Sequence, residues 1–227
     1  SGYVEFPSIN FDYGPIFSTF GFNEVEGLRL RTGGRTYFGP NDPWRLEGFL
    51  AYGFRDNKFK YGLSGKWLLD KKSRLTLFGG TRRDVEQIGA SLTSSTDVLG
   101  RSLASSSVIN TGANDKLSNI KLTNLGMSIE PSRNFVVRLD GSFRNVRSAS
   151  PTFSLDFNDP ESPTGISSEV KQFETRLSLN FYPKREMTGF GVERKTKNDN
   201  FAKLCAQVTR GDRDWFDSDF DYTKLQS

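Results

Sequence analysis

From residue 25 onward the chain is written in stretches of about ten residues in which apolar and polar side chains alternate, the period-two signature of a strand whose faces meet different surroundings. In 25–38, Leu28, Leu30, Thr32, Gly34, Thr36 and Phe38 fall on one face, with Arg29, Arg31, Gly33, Arg35 and Tyr37 on the other. In 44–54, Trp44, Leu46, Gly48, Leu50, Tyr52 and Phe54 oppose Arg45, Glu47, Phe49, Ala51 and Gly53. In 59–69, Phe59, Tyr61, Leu63, Gly65, Trp67 and Leu69 oppose Lys60, Gly62, Ser64, Lys66 and Leu68. A weaker alternation follows at 74–84, with Leu75, Leu77, Gly79 and Thr81 against Arg74, Thr76, Phe78, Gly80 and Arg82. Runs of Gly, Pro, Asn, Asp and Lys at 39–43, 55–58 and 70–73 turn the chain between these strands, which makes the stretch a β-meander.

The same pattern resumes at 118–129, 135–147 and 169–182, then more weakly at 187–196 after a turn at 183–186, at 201–210, and at 222–226. Residues 1–22, rich in Phe and broken by Pro7, Gly14, Pro15 and Gly21, read as an irregular strand near 3–13 with a second short extended piece, or as a loop packed by its own aromatics. Segments 85–117 and 148–168 are too polar for core strands and read as long connections. The total is ten or eleven strands.

Two features of this meander point to an antiparallel transmembrane β-barrel, or a large part of one, as a single domain over 1–227. Aromatic residues (Phe38, Trp44, Phe54, Phe59, Tyr61 and Trp67) gather at strand ends while Leu and Gly hold the middle, as in an interfacial girdle around an apolar band. Short connections at 39–43, 70–73, 130–134 and 183–186 fall at one strand end and long ones at the other, with 55–58 as the exception.

Composition adjusts this picture little. A hydrophobic fraction of 35% is compatible with a membrane barrel, where only alternate strand residues face lipid. No apolar run approaches the ~18 residues of a transmembrane helix. The net charge of +4 is spread at strand spacing among 27 acidic residues, and no recognition-helix or RNA-binding signature accompanies it, so nucleic acid is not an expected partner. The absence of His and a single Cys remove His-based triads, Cys-His pairs, most zinc and haem sites and any disulfide framework. Cys205, in a strand, is expected to be an inert buried thiol. No cofactor or metal is expected.

The search for chemistry yields few candidates. Glu47 with Glu24 or Glu26 has the composition of a carboxylate pair, but strand Glu opposite strand Arg is more simply an ion pair. Asp212, Asp214, Asp217, Asp219 and Asp221 form an acidic cluster lacking the mid-loop Gly and terminal Glu of an EF-hand loop, and read as a solvated turn. The candidate lumen-facing polar residues are Arg29, Arg31, Arg35, Arg45, Glu47, Lys60, Lys66 and Arg82. Two roles are open to them: lining a conduit or holding a plug or partner segment, or pairing with one another to fill a narrow interior.

The motifs Asn23-Glu24-Val25-Glu26-Gly27-Leu28-Arg29-Leu30-Arg31, Gly33-Gly34-Arg35-Thr36, Ala51-Tyr52-Gly53-Phe54-Arg55-Asp56, Phe59-Lys60-Tyr61 and Ser218-Asp219-Phe220-Asp221-Tyr222 occur in order. Together they resemble a Bacteroidota family of unknown function in which a carboxypeptidase-regulatory-like domain precedes an outer-membrane barrel. The resemblance implies a barrel similar to those of surface-antigen and outer-membrane assembly proteins, with no established activity, in chains several times longer than this one. On that basis the expectation is a non-enzymatic outer-membrane protein in contact with membrane lipid and with envelope proteins, serving assembly, export or uptake, and present here as part of a longer barrel. A soluble all-β binding module, such as a carbohydrate-binding sandwich, is the alternative; it requires the Leu, Trp, Tyr and Phe faces to pack together in one core.

Overall fold

The computed structural model describes residues 2–36, 41–87, 117–149, 156–158 and 163–227. Phe38 of the expected girdle, 88–116 of the expected 85–117 connection, and 150–155 and 159–162 of the expected 148–168 connection lie outside these residues. Within them the protein is all-β apart from two single-turn 3-10 segments.

The strands that alternate most clearly are those that form: β4 (Gly27–Thr36), β5 (Trp44–Gly53), β6 (Lys58–Asp70), β7 (Leu75–Gln87), β8 (Leu117–Ser132), β9 (Phe135–Ser148), β12 (Glu169–Phe181), β15 (Leu204–Gly211) and β16 (Tyr222–Gln226). Before them come β1 (Val4–Phe6), β2 (Phe11–Tyr13) and β3 (Phe20–Asn23). These twelve make one antiparallel sheet in the order β1-β2-β4-β5-β6-β7-β8-β9-β12-β15-β16, with β3 beside the first half of β4. Two small hairpins stand apart, β10 (Phe157–Asn158) with β11 (Ile166–Ser167), and β13 (Met187–Thr188) with β14 (Lys195–Thr196). The sheet thus has more strands than the ten or eleven expected, because the N-terminal aromatic segment contributes three short strands in place of one and a loose piece. It is open, with β1 and β16 as edges, so closure into a barrel is not part of this structure.

Tight hairpins are set by residues that tolerate positive φ. Asn57 (φ 51°) lies between β5 and β6, and Asn134 (φ 65°) between β8 and β9; asparagine populates this left-handed region more readily than other non-glycine residues. One register row then runs through eleven strands: Glu5, Asp12, Arg35, Glu47, Ser64, Gly80, Asn124, Ser142, Glu174, Gly211 and Tyr222. No member of that row is aliphatic. Since alternate residues share a face, every second residue on each strand joins the same polar side.

That polar side is concave. Arg29 on β4 reaches Asp84 on β7, two strands beyond its own neighbour, with Nη1 to Oδ1 at 2.7 Å. A flat sheet would hold β4 and β7 about 14 Å apart at ~4.8 Å per strand, so the sheet curls inward at this end. The convex side carries the large apolar residues. Leu28, Leu30, Leu46, Leu50, Leu63, Leu139, Leu177 and Leu179 are all exposed, and no common core gathers them. Among the buried apolar residues, Val25, Val85 and Leu117 cluster, as do Phe49 and Ala51, while Leu68, Ile120, Leu122 and Val170 are buried outside these two groups.

One expected strand does not join the sheet. Residues 187–196 were expected to follow a short turn at 183–186, yet the whole of 182–203 is a single connection between β12 and β15 whose only pairing is the β13–β14 hairpin. Its backbone bonds instead to distant turns: Val192 N donates to Asp42 O at 2.7 Å and Phe190 N to Asn41 Oδ1 at 3.0 Å. The sorting of connections by length is correspondingly weaker than expected, with this long one at the same end as 71–74 and 133–134.

Packing at the centre of the concave face fixes Gly126 on β8. A Cβ there would meet Leu139 O at 2.6 Å, Asp140 Cβ at 2.6 Å and the Phe78 ring at 2.5 Å. Gly126→Val is therefore expected to destabilise the fold by roughly 1–3 kcal/mol through overpacking, read as a lower midpoint in thermal or urea unfolding; an unchanged midpoint would disprove the tight packing.

Candidate functional site

The concave face gathers the buried charged side chains of the described residues, and it divides into two zones. The first lies toward the β5–β6 turn. Glu26 is the last residue of the β3–β4 turn, where Asn23 Oδ1 accepts the N–H of Val25 and Glu26, a side-chain-closed turn that points the Glu26 carboxylate inward. There it receives Asn23 Nδ2 at 2.7 Å, Arg29 Nη1 at 3.0 Å and Lys60 Nζ at 2.7 Å. Lys60 also reaches Asp56 Oδ2 at 2.5 Å, and Arg82 pairs with Glu86. Arg29 and Arg82 are each 1% exposed. Charges so deeply removed from water are tolerable only when paired, and here each is.

A second chain of pairs crosses β9, β12 and β16. Arg138 Nε donates to Asp140 Oδ1 at 2.8 Å, Arg176 lies 3.6 Å from Asp140 and 3.3 Å from Glu174, and Tyr222 OH donates to Glu174. Between the zones, toward the short turns, is a cavity of about 410 Å³ lined by Arg45, Glu47, Ser64, Lys66, Phe78, Asn124, Arg138 and Glu193. Asn124 Oδ1 and Arg138 Nη2 have no protein partner. Both residues line this cavity, so water or a polar solute is needed there to satisfy them.

Over the cavity runs the 182–203 connection, hereafter the strap. Glu193 pairs with Lys66 at 2.7 Å and approaches Arg45 at 3.9 Å. Arg194 pairs with Glu130, Arg74 Nη2 donates to Gly191 O at 2.8 Å, and Asn134 Nδ2 donates to Arg185 O at 2.8 Å. Its ties thus reach the β4–β5, β6–β7 and β8–β9 turns and the adjoining strands. Burial, and after it the charge of nearby Arg194, lowers the pKa of Arg74 and Arg185; both remain cations at neutral pH.

All eight sequence-nominated residues lie on this face. Arg29, Lys60 and Arg82 belong to the buried ion-pair zone, Arg45, Glu47 and Lys66 line the cavity, and Arg31 and Arg35 lie over the Phe49 and Tyr3 rings respectively. Arg35 also donates to Asp12 at 2.9 Å. The Glu47–Glu26 carboxylate pairing does not arise: Glu26 is engaged as above, whereas Glu47 accepts from Tyr3 OH at 3.1 Å. Among the described residues no acidic group is arranged to hold a metal ion. Within the acidic cluster, Asp212 caps the N–H of Asp214 and Asp219 accepts the N–H of Lys171. Cys205, expected to be buried, is half-buried. Asp84, Glu86, Glu193 and Arg194 were missed; the first two lie beyond or at the expected end of β7, and continued alternation through Gln87 is the signal that marks them.

No protein family, curated protein or solved structure matches this chain.

Glu26→Gln leaves Lys60 and Arg29 short of a buried anion and is expected to cost about 3 kcal/mol, with partial recovery in Glu26→Gln/Lys60→Met; urea unfolding of both variants tests this, and equal stability of Glu26→Gln and the parent would refute the pairing. For the strap, Glu193→Gln with Arg194→Gln removes ties worth about 0.2–1 kcal/mol each. Limited trypsin digestion at Lys195 and Lys197 should then accelerate by about three- to tenfold, while cleavage at Lys71 and Lys72 stays constant.

Proposed function

We propose that the curled sheet is the wall of a transmembrane β-barrel of the bacterial outer membrane, with its convex side against lipid and its concave side forming a polar interior. The observation that carries this reading is the inversion of burial. Arg29, Arg82, Lys60, Glu26 and Asp140 are buried, whereas Leu125 is 72% and Leu63 55% exposed. Water does not reward that arrangement; a hydrocarbon exterior does. Strand length supports it, since β6, β7, β8, β9 and β12 run 13, 13, 16, 14 and 13 residues, against the ~9–11 needed to cross a bilayer. Exposed Trp44, Trp67 and Phe181 at one strand end and Phe20, Phe22, Phe54 and Phe59 at the other suit two interfacial girdles. In this reading the edges at β1 and β16 are paired, because hydrocarbon leaves no unmet backbone groups.

The role is that of a non-catalytic envelope protein in assembly, export or uptake, in keeping with the Bacteroidota family that the motifs resemble. The paired charges fill part of the interior and the strap lies over a polar cavity, which suits a gated or plugged passage better than an open pore.

Partition into detergent micelles and heat-modifiable gel mobility are the expected behaviours, and a monodisperse folded monomer in plain buffer would overturn the reading. A sharper test is Leu125→Arg. At mid-depth in lipid it should cost about 2–4 kcal/mol of folding into bilayers; for an already exposed residue of a water-soluble protein it should be within ~0.5 kcal/mol of neutral.

A further inference from the structure

We infer that the convex face carries a docking site for the phosphate of an anionic membrane lipid, centred on Arg83 and Lys121; the inference rests on the membrane reading above. Arg83 on β7 and Lys121 on β8 are direct cross-strand partners in the sheet register. Side chains so placed have Cβ atoms about 4.5–5.5 Å apart, and like charges there repel. Both are exposed, and among the described residues neither side chain has an ion-pair or hydrogen-bond partner. The contrast with the rest of the row is informative. The row continues to Asn145 and Lys171, and there anions are supplied: Glu169 accepts from Asn145 and Asp217 lies 3.9 Å from Lys171. Among the described residues the β7–β8 half has no such anion. Two adjacent cations without a counter-charge form a site of the sign and spacing that a phosphate monoanion bridges.

The surroundings select an amphiphile over free phosphate. Directly beneath the pair, Thr81 and Thr123 share a hydrogen bond at 3.1 Å across the strands. Below them lie Gly79 beside the exposed Leu125, then exposed Leu77 beside exposed Met127. Cations, then hydroxyls, then an apolar column repeat in order the phosphate, polar linkage and acyl chains of a lipid lying along the strands. The placement also suits depth: on neighbouring β6, Tyr61 is level with Arg83 and Trp67 with Leu77, so the pair stands at one margin of the apolar band.

The test uses the full chain in a phosphate-free maltoside micelle, with phosphatidylglycerol or phosphatidylcholine added and retained lipid counted by native mass spectrometry. The parent protein should retain phosphatidylglycerol in preference to phosphatidylcholine. The Arg83→Gln/Lys121→Gln variant should retain about tenfold less, the loss expected from removing charge-assisted hydrogen bonds. Lys71→Gln/Lys72→Gln, at the opposite strand end, should behave as the parent does. Without lipid, the Arg83→Gln/Lys121→Gln variant should melt no lower than the parent, since it loses only repulsion; a lower midpoint would assign the pair a structural role and overturn the proposal. Equal retention by parent and this variant, or equal loss in both double variants, would also overturn it, and competition by glycerophosphate as effective as by intact lipid would overturn the choice of an amphiphile. Failure of the parent to enter micelles would bring down the membrane reading and this proposal together, whereas insertion without lipid preference would bring down this proposal alone.

Discussion

Everything in this protein depends on a continuous antiparallel register. Because side chains alternate strictly across a pleated sheet, a row such as Asp12-Arg35-Glu47-Ser64 assigns a face to every other residue on four strands at once. A slip of one residue on any strand would exchange its leucines for its charges. The ion pairs on the concave side enforce the register in return: Arg29 finds Asp84, and Lys60 finds Glu26, only if β4 through β7 are correctly aligned. Backbone pairing and charge pairing therefore specify the same alignment by independent means, which is the condition for one structure to win over its shifted alternatives.

The strong strands were legible because their alternation was strong. Expected and observed boundaries agree within a few residues from β4 to β9 and for β12, and β16 coincides at both ends, whereas the short β10–β11 hairpin lies in 148–168, which reads as a connection. Errors arose where the pattern was read with the wrong assumption about burial. The strand expected over 74–84 runs on to Gln87, because Glu86 continues the polar face of Arg82 and Asp84; on a sheet whose buried side is charged, an acidic residue continues a strand. The N-terminal aromatics lost their rhythm because β1, β2 and β3 are interrupted by single 3-10 turns at Pro7–Ile9 and Ile16–Ser18.

The functional face was partly legible for a related reason. Parity alone assigned Arg29 through Arg82 to one side, but not their partners, since which carboxylate meets which guanidinium depends on curvature. Arg29 and Asp84 are 55 residues apart in sequence and separated by two strands in the sheet. The strap was illegible for a stronger reason. Residues 187–196 alternate weakly enough to suggest a strand, and nothing local reveals that their backbone partners are Asn41 and Asp42, nearly 150 residues earlier.

The strap acts geometrically as a chord drawn across an arc. From β5 to β12 the sheet passes through five strand spacings, an arc of about 24 Å, and the strap spans the same elements at one end by running from Tyr182 to Val192. Fully extended, such a segment reaches about 36 Å, more than that arc, so its length alone does not set the curvature. Its fastenings do the coupling: the β4–β5, β6–β7 and β8–β9 turns are each held to the same segment. A rearrangement that moves these turns relative to one another must break one of those contacts or carry the strap with it.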